Sequence, residues 1–170
     1  MKYIAAIAIL LILSGTGWYL SVPRPLPLNS KATSIVIEKH KHLMTVYSRD
    51  RILRTYRVSL GRGDDGPKQQ EGDNRTPEGR YFIDARNEYS QFYRSLHISY
   101  PSAVDVARAK RKGVSPGGAV MIHGLRRGLA WLGPLHRLVD WTKGCVAVTN
   151  SQMDELWLVV NVGTPVEIRQ

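Results

Sequence analysis

Downstream of Ser34, apolar residues arrive in short runs separated by polar turns. Ile35-Val36-Ile37 and Leu43 to Tyr47 are rich in branched and aromatic side chains. The polar stretch Lys39-His40-Lys41-His42 between them predicts a hairpin. A third strand is expected over 51–60, ending at Gly61, and further short strands over 80–84, 96–99, 119–123 and 164–168. The connection 61–79 is dense in Gly, Asp, Pro and charge, and a connection of that length is expected to be functional or mobile.

Helices are sparse, and each carries a start signal. Ser102 with Asp105 has capping-box form ahead of a stretch ending at Gly113, and Thr149 with Gln152 repeats it. After the second box, Met153, Leu156, Trp157 and Val160 fall at i, i+3, i+4 and i+7, one buried stripe of a helix that stops before Gly163. Many strands and few helices predict a mainly-β domain, sandwich-like or barrel-like, with a few short helices packed on its rim.

A chain of 170 residues accommodates one such domain. Its 43% hydrophobic and 22% charged residues exclude a disordered or fibrous chain. The N-terminus departs from this pattern: Lys2, an apolar run from Ile4 to Leu13, then Ser14 to Gly17 and the pair Trp18-Tyr19 have the composition of an export signal. Residues 1–21 are expected to be either a cleaved signal peptide or an uncleaved membrane anchor, with Trp18 and Tyr19 at interfacial depth. Val22 to Leu28 alternates proline with other residues, residues 22–33 are expected to form a linker, and the folded domain occupies 34–170. The expected location is the periplasm or cell envelope. The net charge of +10 favours polyanionic surroundings such as envelope polymers and lipid head groups. Scattered bases such as Lys39, Lys41, Arg57, Arg80 and Arg94 read as solvated surface, and without a recognisable motif no nucleic-acid partner is expected.

Cys145 is the only cysteine, so in an oxidising compartment it has no partner within the chain. Such a thiol is either a small buried side chain or a reagent. In Thr142-Lys143-Gly144-Cys145 a glycine precedes the sulfur, letting successive N–H groups turn toward one point where an oxyanion could sit. Lys143 is either a solvated lysine or a cation favouring the thiolate. Among His40, His42, His97, His123 and His136, the best base is His123, which ends the apolar run Ala119 to Ile122 and precedes Gly124. His40 and His42 sit in a charged turn, His97 is a core or site-wall histidine, and His136 lies in the connection before the cysteine loop.

Ile122-His123-Gly124 and Thr142-x-Gly144-Cys145, taken in order with Gly66-Pro67-Lys68, Glu71-Gly72-Asp73-x-Arg75-Thr76-Pro77-Glu78-Gly79, Ser99-Tyr100-Pro101 and Pro116-Gly117-Gly118, resemble the L,D-transpeptidase catalytic domain (YkuD-like) over about 34–168. The resemblance implies a covalent mechanism on peptidoglycan stem peptides, with no metal or organic cofactor. Cys145 would be the nucleophile and His123 the base and acid, oriented by the Gly124 carbonyl. The amides of Lys143, Gly144 and Cys145 would form the oxyanion hole. Thr142, Trp141, His97 and Tyr100 are the expected substrate contacts, with Thr142 otherwise fixing its own loop, and Trp141 and His97 otherwise packing residues. An amine acceptor makes the activity transpeptidation, and water makes it hydrolysis of stem peptides or of an attached envelope protein. A non-catalytic wall-binding module would be expected to lack Cys145 or His123. Two departures stand out. Many relatives carry arginine two residues after the cysteine, where this chain has Ala147, and the connection from Gly124 to Trp141 is long, forming either a lid over the acceptor side or an amphipathic flap on the sheet.

Overall fold

The computed structural model describes residues 26–27 and 29–170, so the expected signal or anchor at 1–21 and the first part of the linker lie outside the described residues. Eight strands form one curled sheet in the order β3-β2-β1-β8-β4-β5-β6-β7. These are β1 (Ser34–Glu38), β2 (Leu43–Ser48), β3 (Arg51–Arg57), β4 (Gly79–Ser90), β5 (Tyr93–Ile98), β6 (Met121–His123), β7 (Val146–Ala147) and β8 (Pro165–Arg169). Two helices, α1 (Ala103–Arg111) and α2 (Asn150–Val159), and a 3-10 segment Ala130–Leu138 complete the domain. Among the described residues no helix is long and apolar enough to cross a membrane.

The sheet curls because its two ends meet. Just past β3, Ser59 pairs antiparallel with Ala147 of β7, and Gly61 pairs parallel with Thr142. Closure shields edges that would otherwise expose unpaired amides, and it draws the cysteine loop against the start of the 61–79 connection. Period-two alternation sends Ile35 and Ile37 of β1, Ile83 of β4, Leu96 and Ile98 of β5 and Ile122 of β6 inward, where all are fully buried. Each such side chain contributes roughly 1.5–3 kcal/mol by leaving water. Met153, Leu156 and Val160 of the predicted stripe are also fully buried, while Trp157 is half-buried.

Both capping boxes form, with Ser102 and Thr149 accepting from the Asp105 and Gln152 amides and those side chains returning a bond to the cap backbone. Two expectations change. Strand β4 runs 12 residues, well past the predicted Asp84, because its second half is held by pairing with β5 rather than by burial. Lys39, expected in solvent, is buried, its Nζ donating to Gly66 O and to Glu78 Oε1, both at 2.7 Å.

The 61–79 connection is a packed wrap. Gly61 N donates to Thr76 Oγ1 at 2.9 Å, and Lys68 Nζ bonds Asp73 Oδ1 at 2.7 Å and Gln70 O at 3.0 Å. A methyl at Gly61 would lie 2.1 Å from Asn74 O and 2.9 Å from the Gly144 Cα, so the wrap presses directly on the loop that carries Cys145.

Candidate active site

Strand register brings the two candidate groups together. In the parallel pair β6–β7, Ile122 faces Val146 and His123 faces Ala147, so Cys145 stands level with Met121. Side chains at 121 and 123 share one face of the sheet, and Cys145 projects beside them. Cys145 and His123 line the same groove of about 800 Å³, together with Met121, Ala119, Phe92, Trp141, Lys143 and Arg126.

His123 is held on all sides. Its Nδ1 lies 2.7 Å from Gly124 O, so that nitrogen carries the proton and donates, leaving Nε2 as the basic atom. The ring rests against Phe92 at 4.5 Å between centroids and meets the Trp141 indole nearly edge-on at 5.7 Å. Burial lowers the imidazole pKa below 6.5, against an opposing contribution from the Gly124 carbonyl. A Cβ at Gly124 would lie 2.7 Å from Asn150 Oδ1, the acceptor for the Leu125 amide, so a larger residue there would have to displace that side chain.

The cysteine loop is equally constrained. Thr142 Oγ1 donates to Cys145 O at 2.8 Å and accepts from Gly144 N at 3.1 Å, so this buried side chain fixes its own loop while also lining the groove. Gly144 has φ +120, and a methyl on it would lie 2.6 Å from Arg75 O. Of the three amides expected to face an oxyanion, Gly144 spends its N–H on Thr142 Oγ1, while the amides of Lys143 and Cys145 have no acceptor among the described residues. Cys145 is partly buried with Sγ 3.6 Å from Ala119 O. Burial raises its thiol pKa, opposed by the Met121 amide and the charge of Lys68. Lys143 is exposed, so the cation acting on the sulfur is Lys68, a buried residue of the wrap to which the sequence reading gave no role in the chemistry.

Two expected substrate contacts stand apart from the groove. His97 on β5 faces Met121 across the ladder but turns to Asp84, with Nδ1 2.6 Å from Oδ1. Tyr100 is buried, its ring edge-on to Tyr81 and its hydroxyl donating to Pro116 O at 2.9 Å. Asp140 accepts from Leu60 N at 2.7 Å and pairs with His42 at 2.9 Å, which makes it a tie between loops. Trp141 does line the groove.

Unforeseen members come from the β4–β5 turn, where Asn87, Tyr89, Gln91 and Phe92 form the facing wall, and from Arg126 and Leu129 at the start of the long connection. That connection borders the groove through Arg126 and Leu129, and it is not a flap with its apolar side packed on the sheet, since Trp131, Leu135 and Leu138 are exposed. It is pinned by buried Leu125 and His136, with Ser59 Oγ donating to His136 O at 2.9 Å. The Ser59–Ala147 bridge puts the Cβ of residue 147 on the same face as that serine, so His136 and Trp141 stand over the space an arginine at 147 would enter. Burial, with the charges of Arg137 and His123, pushes the His136 pKa down to about 4.

Comparison with known proteins identifies the family and the fold. The L,D-transpeptidase catalytic domain model (YkuD) matches residues 32–168. The Escherichia coli (strain K12) protein YafK, named for the L,D-transpeptidases, is 32% identical over 113 residues, which make up 64% of this chain and 37% of that protein. The chain thus spans well under half the length of this curated relative. In solved structures, the helical cell shape determining protein Pgp2 from Campylobacter jejuni superposes with a TM-score of 0.59 at 23% identity, covering 84% of this chain and 49% of that one. The L,D-transpeptidase (residues 123–326) from Xylanimonas cellulosilytica gives 0.56 at 20% identity, covering 86% and 65%. These structural likenesses concern the fold, mainly β with few helices. With the family model spanning nearly all of the described domain, this chain belongs to the L,D-transpeptidase catalytic domain (YkuD) family.

Proposed function

We propose that the protein is an exported cysteine acyltransferase acting on peptidoglycan stem peptides in the periplasm or cell envelope. The observation that carries this reading is the presence of Cys145 and His123 on one face of β6–β7, opening into a single groove. Among the described residues the groove holds two cations, Arg126 and Lys143, and no carboxylate, which suits a donor peptide bearing free carboxylates.

The shifts of both groups, His123 down and Cys145 up, favour a neutral thiol beside a neutral imidazole at rest. The thiol proton therefore moves to His123 Nε2 as Sγ attacks the carbonyl of the third stem residue. A C–S bond forms, and the Lys143 and Cys145 amides receive the oxyanion, each well-oriented donor contributing about 2.7–4 kcal/mol. His123 then returns the proton to the nitrogen of the terminal D-alanine, which leaves as the C–N bond breaks. In the second half, an acceptor amine gives its proton to Nε2, attacks the thioester and releases the sulfur, which recovers that proton. An envelope protein could serve as acceptor or, in the reverse sense, as leaving group. With water as acceptor the same thioester yields hydrolysis.

Incubation of the purified protein with tetrapeptide-bearing muropeptides is expected to release D-alanine, and Cys145→Ala or His123→Ala to abolish that release. Mass spectrometry of the products identifies water or an amine as acceptor. Undiminished release by Cys145→Ala would sink the reading.

A further inference from the structure

The segment 129–139 exposes large apolar side chains in quick succession: Leu129 at 42% exposure, Trp131 at 75%, Leu135 at 59%, Leu138 at 79% and Val139 at 66%. These side chains do not face outward because the loop is loose. His136, buried in the middle of the segment and bound to Ser59, together with a reversal at Gly133 (φ 46), holds the turns so that their apolar side chains point away from the domain. The cost of hydrating such a cluster makes a covering partner the natural explanation.

Beside Leu138 and Val139 lies a concavity of about 440 Å³ whose walls include His40, Lys41, Arg57 and Arg137. The acid in that wall, Asp140, is already engaged by His42 and by the Leu60 amide. Arg57 and Arg137 make no ion pair among the described residues, and Arg137 Nε is buried with no acceptor there. Burial and the neighbouring Arg57 charge push the Arg137 guanidinium below its ordinary pKa. Two guanidinium groups that repel each other on the wall of one concavity, with no acidic partner among the described residues, are arranged to receive an anionic oxygen group through their outer N–H groups.

We propose that segment 129–139 and the Arg57–Arg137 concavity form a docking surface for an anionic phospholipid bilayer. Trp131, Leu135, Leu138 and Val139 enter the interfacial layer while the two arginines hold a lipid phosphate. Protruding leucine, valine and tryptophan beside exposed bases match interfacial insertion, in which apolar burial and attraction to anionic head groups act together. A hydrated glycan offers no apolar layer for these side chains. The apolar run Ile4 to Leu13 precedes Ser34 by a stretch that spans at most about 70 Å, within reach of the same bilayer were that run anchored. Leu129 belongs to both surfaces, so docking brings one rim of the cysteine groove to the membrane. The inference is independent of the acyl-transfer reading.

The test uses the full chain reconstituted with vesicles brominated on their acyl chains, of phosphatidylcholine alone or with phosphatidylglycerol added. Tryptophan emission is expected to be quenched more in the wild type than in Trp131→Phe, with Trp18, Trp141 and Trp157 as common background. The difference should grow when phosphatidylglycerol is present, and Arg57→Gln with Arg137→Gln should remove that growth. Equal quenching of wild type and Trp131→Phe in both lipids overturns the proposal, as does a difference indifferent to phosphatidylglycerol. A lipid-free dimer that Leu138→Asp dissolves, with Trp131 unquenched by lipid, assigns the patch to a second copy instead and equally overturns it.

Discussion

The two walls of the cysteine groove are made differently. The wall to which we assign the chemistry, His123 with the Thr142–Cys145 loop, is mostly buried, and nearly every polar atom in it is committed: Nδ1 to Gly124, Oγ1 to the loop, and Gly144 wedged against Arg75. The facing wall, Asn87 to Phe92 with Arg126 and Leu129, consists largely of exposed side chains on a turn and at the start of a long connection. Positions on the first wall have no freedom because reacting atoms must meet within fractions of an ångström. The second wall can change its side chains without disturbing the barrel, so it is where substrate discrimination belongs.

Substitutions probe this contrast, the strongest first. Gly144→Ala places a methyl 2.6 Å from Arg75 O at φ +120, and displacing the loop should cut kcat/KM by about 100-fold or more while the protein still folds. A steady-state rate near that of the wild type would show the loop to be softer than its packing implies. Ala147→Arg drives a long side chain under His136 and Trp141 and should cost about 1–3 kcal/mol in chemical denaturation. Unchanged stability would mean the site opens to admit arginine.

A pH profile tests the ring clamp. Because burial lowers the His123 pKa, the imidazole stays unprotonated as pH falls past 6.5, and the acid limb of kcat/KM should lie below that value. Trp141→Ala lets water reach the ring and should move the limb upward toward 6.5. An unmoved limb would assign the shift to other neighbours. The smallest effect is expected on the facing wall: Arg126→Gln should raise KM for a stem peptide with free carboxylates by roughly fivefold at most, as befits an exposed charge, with kcat little changed.

Much of this was legible along the chain. The β1–β2 hairpin follows from alternation around a polar turn, and both capping boxes form because their bonds span three residues. Cys145 and His123 stood out through neighbouring glycines that the structure uses for close approach. The far half of β4 was not legible, since Asp84 to Glu88 shows no apolar face, and only the β5 ladder holds it extended. The same half-strand leads into the turn that delivers Phe92 to His123, so missing it concealed the facing wall.

Residue order alone determined whatever depends on near neighbours: strand periodicity, helix starts, and which sulfur and imidazole are the candidates for the site. Only tertiary structure decided what depends on segments far apart in the chain. It supplied Lys68 instead of Lys143 as the charge near the sulfur, withdrew the Gly144 amide, and turned His97 to Asp84. It also buried His136 while leaving its apolar neighbours in solvent. The reason is closure of the sheet: once Ser59 meets Ala147, the space left around the groove determines which donors, charges and rings can reach it, and local pattern holds no record of that space.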